Sequence, residues 1–175
     1  MKPGIKELHR FIRDNFEKEL RDAYVRYSIA SEADLQAIAW LLLREFLKAY
    51  DPTETKLKVL NKPYFKDLGI HPDLAVFRKG KPWVLLELKE RKKLTALSAR
   101  KEWKRLIKAK ELLRPKRAYL VYVARWGSGK VLTGPKGAGA KFFFEIPITL
   151  EDVWLPRRIE EWERGFRKWS KYVAH

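Results

Sequence analysis

The stretch from His71 to Glu90 constrains the fold more than any other part of the chain. Leu74-Ala75-Val76-Phe77 and Pro82-Trp83-Val84-Leu85-Leu86-Glu87-Leu88-Lys89 are two apolar-rich runs flanking the basic, glycine-containing turn Arg78-Lys79-Gly80-Lys81. That pattern predicts an antiparallel hairpin. Alternation along the second strand sends Glu87 and Lys89 to one face and Leu86 and Leu88 to the other. Asp73 opens the first strand, so the hairpin carries a second carboxylate toward Glu87 and gathers two acids and a lysine in a small volume. Val84, Leu85 and Leu86 mark a core strand, where charge on one face is costly and needs a reason. Pro72 stiffens the approach to Asp73 and presses His71 toward an extended conformation. His71 itself reads as a loop histidine hydrogen-bonded to its surroundings.

Paired carboxylates suit a hard cation such as Mg²⁺, which takes one or two protein acids and fills its other positions with water and phosphate oxygens. A lysine beside such a site can orient an attacking water and offset charge on a phosphate. The Pro72-Asp73 and Glu87-Leu88-Lys89 elements resemble the signature of the PD-(D/E)xK, or restriction-endonuclease-like, nuclease superfamily. The resemblance implies that Asp73 and Glu87 hold Mg²⁺, with Mn²⁺ as a substitute, that the Leu88 carbonyl is a backbone ligand, and that Lys89 assists the attacking water. It also implies a glutamate near the start of the first core helix. Ser31-Glu32-Ala33-Asp34-Leu35 matches that element, which makes Glu32 a third acid of the metal site or a residue that positions its water, with Asp34 and Glu45 as substitutes. Two plainer readings compete. Lys89 neutralises Glu87 on an edge hairpin in one, and in the other Glu32 sits in a first helical turn only because the macrodipole favours acids there.

The charge balance narrows the partner. Lys and Arg number 39 against 22 Asp and Glu, a net +17, and so large an excess implies a polyanion: nucleic acid or an anionic membrane surface. The longest apolar run, Ala37 to Leu43, is far short of a membrane span, and Met1-Lys2-Pro3-Gly4 does not read as a secretory leader. A cytoplasmic protein with no membrane partner is therefore expected. Without cysteine there are no disulfides and no thiolate metal sites. Scarce Asn, Gln and Met beside 35% charged residues resemble thermophilic usage.

Hydrophobic spacing supplies the remaining elements. Ile5, Leu8, Ile12, Phe16 and Leu20 predict an N-terminal helix over about 4–27. Ser31 as N-cap and Asp34 at the capping-box position open a second helix to about Tyr50, followed by a short strand at Leu57-Lys58-Val59-Leu60. A helix from about Thr95 to Leu113 carries Ala99, Trp103, Leu106, Ile107 and Leu113 on one side and Lys101, Lys104, Arg105 and Lys108 on the other. Arg117 to Ala124 is a strand, and strand-helix-strand order predicts a crossover in a mixed sheet. Basic glycine-rich loops surround a short Val131-Leu132 segment, Lys141 to Leu150 forms another strand, and Thr149 caps a short turn. A last helix over about 156–173 bears Ile159, Trp162, Phe166, Trp169 and Val173 on one face, for the core or for a homodimer.

The expectation is one domain over 1–175 of class α/β (α+β in some schemes): a central mixed sheet of four to five strands flanked by helices, a restriction-endonuclease-like core over about 31–123, and an extra N-terminal helix. The expected activity is Mg²⁺-dependent hydrolysis of phosphodiester bonds in nucleic acid, DNA in the first place. Arg91, Lys92, Lys93, Lys101, Lys104, Arg105, Lys108 and Lys130 are the expected backbone contacts. A structure-selective nuclease such as a Holliday-junction resolvase and a non-catalytic nucleic-acid-binding module are the alternatives.

Overall fold

The computed structural model describes residues 4–93, 96–127 and 140–173. Lys130 and the Val131-Leu132 segment lie outside the described residues. The protein is α/β, with a five-stranded mixed sheet in the order β1-β2-β3-β4-β5: β1 (Leu57–Asn61), β2 (Leu74–Arg78), β3 (Lys81–Lys93), β4 (Arg117–Trp126) and β5 (Phe143–Thr149). The first three strands pair antiparallel, and β3, β4 and β5 run parallel. The motif strand β3 is thus central, as its apolar run requires, and the edge-hairpin reading falls.

The β2–β3 hairpin turns at Lys79 (φ 51°) and Gly80 (φ 74°), two successive left-handed residues of the kind that match the twist of the flanking strands. Pairing of Val76 with Val84 but Phe77 with Pro82 leaves Trp83 as an extra residue, a β-bulge that turns the indole into the main core.

Helices cover both faces of the sheet. The N-terminal helical stretch comprises α1 (Ile5–Phe11), a π-helical turn (Ile12–Phe16) and α2 (Glu17–Val25). Leu8, Ile12, Phe16, Leu20 and Tyr24 are all fully buried, at a strict spacing of four. In a regular α-helix each step of four would drift by about 40°, and the wider π turn returns the stripe to one face. α3 (Glu32–Lys48) begins at Ser31, whose hydroxyl accepts the Asp34 amide at 3.2 Å. These helices and α5 (Pro156–Val173) share one core with Leu74, Leu86 and Leu88, while α4 (Ala96–Leu113) packs Ala99, Trp103, Leu106 and Ala109 against Ala75, Leu85, Leu120 and Tyr122 on the opposite face.

The first part of the α5 stripe is spent inside the chain. Ile159, Trp162 and Phe166 are buried, and the Trp162 indole donates to the Val25 carbonyl at 2.9 Å. Those three side chains are therefore committed to the chain's own core rather than to a homodimer contact. Among the described residues, no helix is long and apolar enough to cross a membrane.

Candidate active site at the end of strand β2

The site forms where β2 stops and β3 continues. Pairing of the two strands ends at Leu74 and Leu86, which leaves the next β3 amide on that edge, Leu88 N–H, without a strand partner. Asp73 fills the gap: its Oδ2 accepts Leu88 N–H at 2.8 Å, so the carboxylate takes the place of a backbone carbonyl. Strand geometry turns a residue's N–H and C=O toward the same edge, so the Leu88 carbonyl faces Asp73 as well. Gln36 Nε2 on α3 donates to Asp73 Oδ1 at 2.9 Å, which fixes the carboxylate in plane.

Asp73, Glu87 and Lys89 are all buried, at 6%, 2% and 5% exposure, so their charges face each other rather than water. Lys89 Nζ lies 3.3 Å from Asp73 Oδ2, 3.6 Å from Glu87 Oε1 and 3.0 Å from Glu32 Oε1. Burial alone would lower the lysine pKa, but Asp73, Glu32 and Glu87 together hold it above its ordinary value. Lys89 is therefore a fixed ammonium and not a base. Burial, reinforced by Asp73, pushes Glu87 up to about 8 against the opposing pull of Lys89 and Arg105.

The expected residues do not all converge. Glu32 reaches the cluster through Lys89 and also faces Arg91 Nη1 at 3.7 Å, while Asp34 caps α3 and Glu45 pairs with Lys48. Of the three acids considered on α3, Glu32 alone reaches the site. The His71 ring is exposed and stacked on Tyr64, with centroids 4.2 Å apart. Lys92, Lys93, Lys101, Lys104 and Lys108 are exposed and hold no ion pair among the described residues.

Arg105 departs from the sequence reading. Expected on the outer basic face of α4, it turns Nη1 to within 2.7 Å of Glu87 Oε1 and 3.1 Å of buried Glu102, and its Nη2 donates to the His71 carbonyl at 3.4 Å. It closes one side of a cleft of about 230 Å³ that runs between residues 69–72 and α4 down to Glu87.

Gln36 was also not anticipated. Its signal was its place one turn after Glu32, since residues four apart share a helix face.

Mg²⁺ fits the donor set. Glu87 Oε1 is shielded from solvent without an aligned hydrogen bond, despite its two cationic neighbours, and Tyr122, cross-strand from Lys89, buries a hydroxyl with no partner. Glu87 Oε1 nevertheless lies 2.7 Å from the Arg105 guanidinium, so the Tyr122 hydroxyl is the one true orphan of the two, and a buried hydroxyl of that kind calls for water. Among the described residues, no group of three or more acids or histidines is gathered at metal-binding spacing. Mg²⁺ does not require one, since one or two carboxylates suffice. No family model, curated protein or solved structure matches the chain, so its functional reading rests on this geometry.

Proposed function

We propose that the protein is a Mg²⁺-dependent nuclease of the PD-(D/E)xK kind that hydrolyses phosphodiester bonds in DNA. The observation that carries the reading is the burial of Asp73, Glu87 and Lys89 together at the point where β2 ends, with Lys89 bridging both acids and Glu32. Burying ionisable groups costs several kcal/mol for each one that stays charged, and apolar residues would fill the same space more stably, on the order of 1–4 kcal/mol. A fold stabilised by packing alone gains nothing from this cluster.

Asp73, Glu87 and the Leu88 carbonyl would hold the ion. Mg²⁺, when bound, supplies Lewis-acid polarisation of a phosphoryl oxygen. Lys89, kept protonated by its three acids, is a donor for the attacking water and for the charge that grows on the phosphate. Gln36 keeps Asp73 from rotating away, and Glu32 keeps the Lys89 ammonium from swinging to solvent. The net charge of +17 supports a polyanionic substrate, and the exposed Lys101, Lys104 and Lys108 lie on the helix that borders the cleft.

A non-catalytic nucleic-acid-binding domain is the second reading, favoured by one observation: Arg105 and Lys89 already neutralise Glu87 as a purely structural network would. Incubation with linear, single-stranded, flapped and four-way DNA separates the two. Cleavage is expected with Mg²⁺ or Mn²⁺ and not with Ca²⁺, whose longer bonds and looser geometry align water and phosphate poorly. Cleavage in excess chelator, or none on any substrate, contradicts the nuclease reading.

A further inference from the structure

A second charged feature lies at the opposite end of the same hairpin. Arg78, Lys79 and Lys81 from the β2–β3 turn and Arg114 and Lys116 from the α4–β4 connection line a cavity of about 800 Å³ beside Trp83, and no acid lines it. None of the five cations has an ion pair among the described residues, in contrast to Arg44, Arg91, Arg105 and Arg125, which all face carboxylates.

The backbone holds this cluster in place. Lys79 N–H donates to the Lys56 carbonyl and Lys116 N–H to the Trp83 carbonyl, both at 2.8 Å. Lys79 and Arg114 are left-handed residues, so each turn has one defined course. The Arg78 guanidinium lies 4.9 Å from the centre of the Trp83 ring, a contact that orients it without cancelling its charge. Five cations without carboxylate partners on two adjoining turns repel one another, and an anion placed between them relieves that repulsion.

We propose that this cavity is a second anchoring site for nucleic acid, one that grips the sugar-phosphate backbone at a distance from the acid cluster. The proposal rests on the nucleic-acid reading of the acid site and deepens it. Lys81 and Glu87 lie six positions apart on β3, a distance of roughly 20 Å. Along one strand of a duplex that is about six phosphates. From Arg105 to Arg114, α4 covers roughly 14 Å of the same path, and Lys108 lines the cleft of the acid site on the way. The substrate is therefore held on one side of the reacting phosphate by at least half a turn of duplex.

The test is duplex binding in chelator, where nothing is cut. The triple variant Lys79→Asn, Lys81→Gln, Lys116→Gln removes three charges, and asparagine tolerates the left-handed backbone at position 79. Against a fluorescent 20-base-pair duplex it should bind about tenfold more weakly, and the slope of log affinity against log salt should flatten by about 2 to 3. The Lys→Arg triple variant at the same positions should bind as wild type, and unchanged melting temperatures would confirm that both variants fold. An unchanged affinity and slope in the neutral variant would overturn the proposal. So would saturable binding of inorganic phosphate that the neutral variant loses while its duplex binding stays intact, since that would assign the cavity to a free anion. Loss of binding in the neutral variant with no cleavage by wild type would leave the anchor standing and remove the nuclease reading. Unchanged binding in an active enzyme would remove the anchor alone.

Discussion

Arg105 Nη1 stands 2.7 Å from Glu87 Oε1, and the two residues differ sharply in exposure: 46% of the Arg105 side chain meets solvent but only 2% of Glu87. A half-exposed cation, held also by Glu102 and the His71 carbonyl, therefore caps a buried acid. Lys89 belongs to the same strand as Glu87 and is itself buried, so it cannot leave, whereas Arg105 is hinged on a separate helix and can. In the nuclease reading Arg105 would offset whatever charge Glu87 carries in the metal-free site, and would be free for phosphate if an ion took its place.

Arg105→Ala should therefore strengthen Mg²⁺ binding in the absence of DNA, by roughly three- to tenfold after allowance for solvent screening. The titration belongs at pH 9, above the value of about 8 to which Glu87 is pushed with Arg105 in place, and is repeated at higher pH in the variant because loss of Arg105 raises Glu87 further. Calorimetry that finds the same or weaker affinity in the variant would show that Arg105 does not compete for Glu87.

Glu87 is mostly neutral at pH 7, because burial and Asp73 push it up to about 8. Binding of Mg²⁺ must then expel roughly one proton, and affinity should rise about tenfold per pH unit until pH 8 and level off above it. Calorimetry in buffers of different ionisation enthalpy measures the proton directly. Glu87→Gln should abolish both the proton release and the pH dependence, and a metal uptake that is flat from pH 6 to 9 would place the ion elsewhere.

Gln36→Leu leaves Asp73 Oδ1 without its donor at nearly constant volume. A hydrogen bond to a charged group contributes about 1.5–3 kcal/mol, which for a chain of this size corresponds to a fall of roughly 5 °C in Tm. Cleavage should fall further than stability explains, by about tenfold, because Asp73 loses its fixed orientation. Activity equal to wild type would make Gln36 a packing residue only.

Much of this arrangement was legible in the sequence, for local reasons. Strand alternation put Glu87 and Lys89 on one face, the Lys79-Gly80 turn fixed the hairpin, and Ser31 with Asp34 marked the start of α3, which set Glu32 in its first turn. The contacts that cross between elements were not legible. Helix phase shows that Gln36 and Glu32 share a face but not that Asp73 waits opposite, and Arg105 lies at the border of the α4 stripe, where phase alone assigns it to water. Tertiary packing decides such border residues. The aromatic stripe of α5 posed the same ambiguity, since periodicity identifies a face to be covered and not what covers it.

Glu145, two strands across the sheet from Glu87, gives a separate test of the packing of α4 on β5. Burial pushes its carboxyl up to about 7, partly offset by the Trp103 indole, which donates to Oε1 at 3.1 Å. A pKa raised on folding means that the folded state holds the extra proton, so this contribution is fully present below about pH 4.5 and is lost as pH rises through 7. Glu90 and Glu87 are raised in the same sense, so the informative quantity is the difference between variants. Glu145→Gln keeps an acceptor for the indole and should remove about 1–2 kcal/mol of the decline between pH 5 and 8, after discounting for partial exposure. Denaturant melts with parallel pH profiles for the two proteins would contradict this placement.

The most direct test of the nuclease site pairs cleavage with metal-free binding in Asp73→Asn, a near-isosteric change that removes one charge from the cluster. Without Mg²⁺ the acids repel a phosphate backbone, so the variant should bind duplex as tightly as wild type or more tightly, while cleavage in Mg²⁺ falls by at least about a thousandfold. Lys89→Ala, assayed alongside, should lose most cleavage with only a slight loss of binding. If Asp73→Asn, folded and bound to DNA, cuts as fast as wild type, the acids at the end of β2 are not the centre of a nuclease.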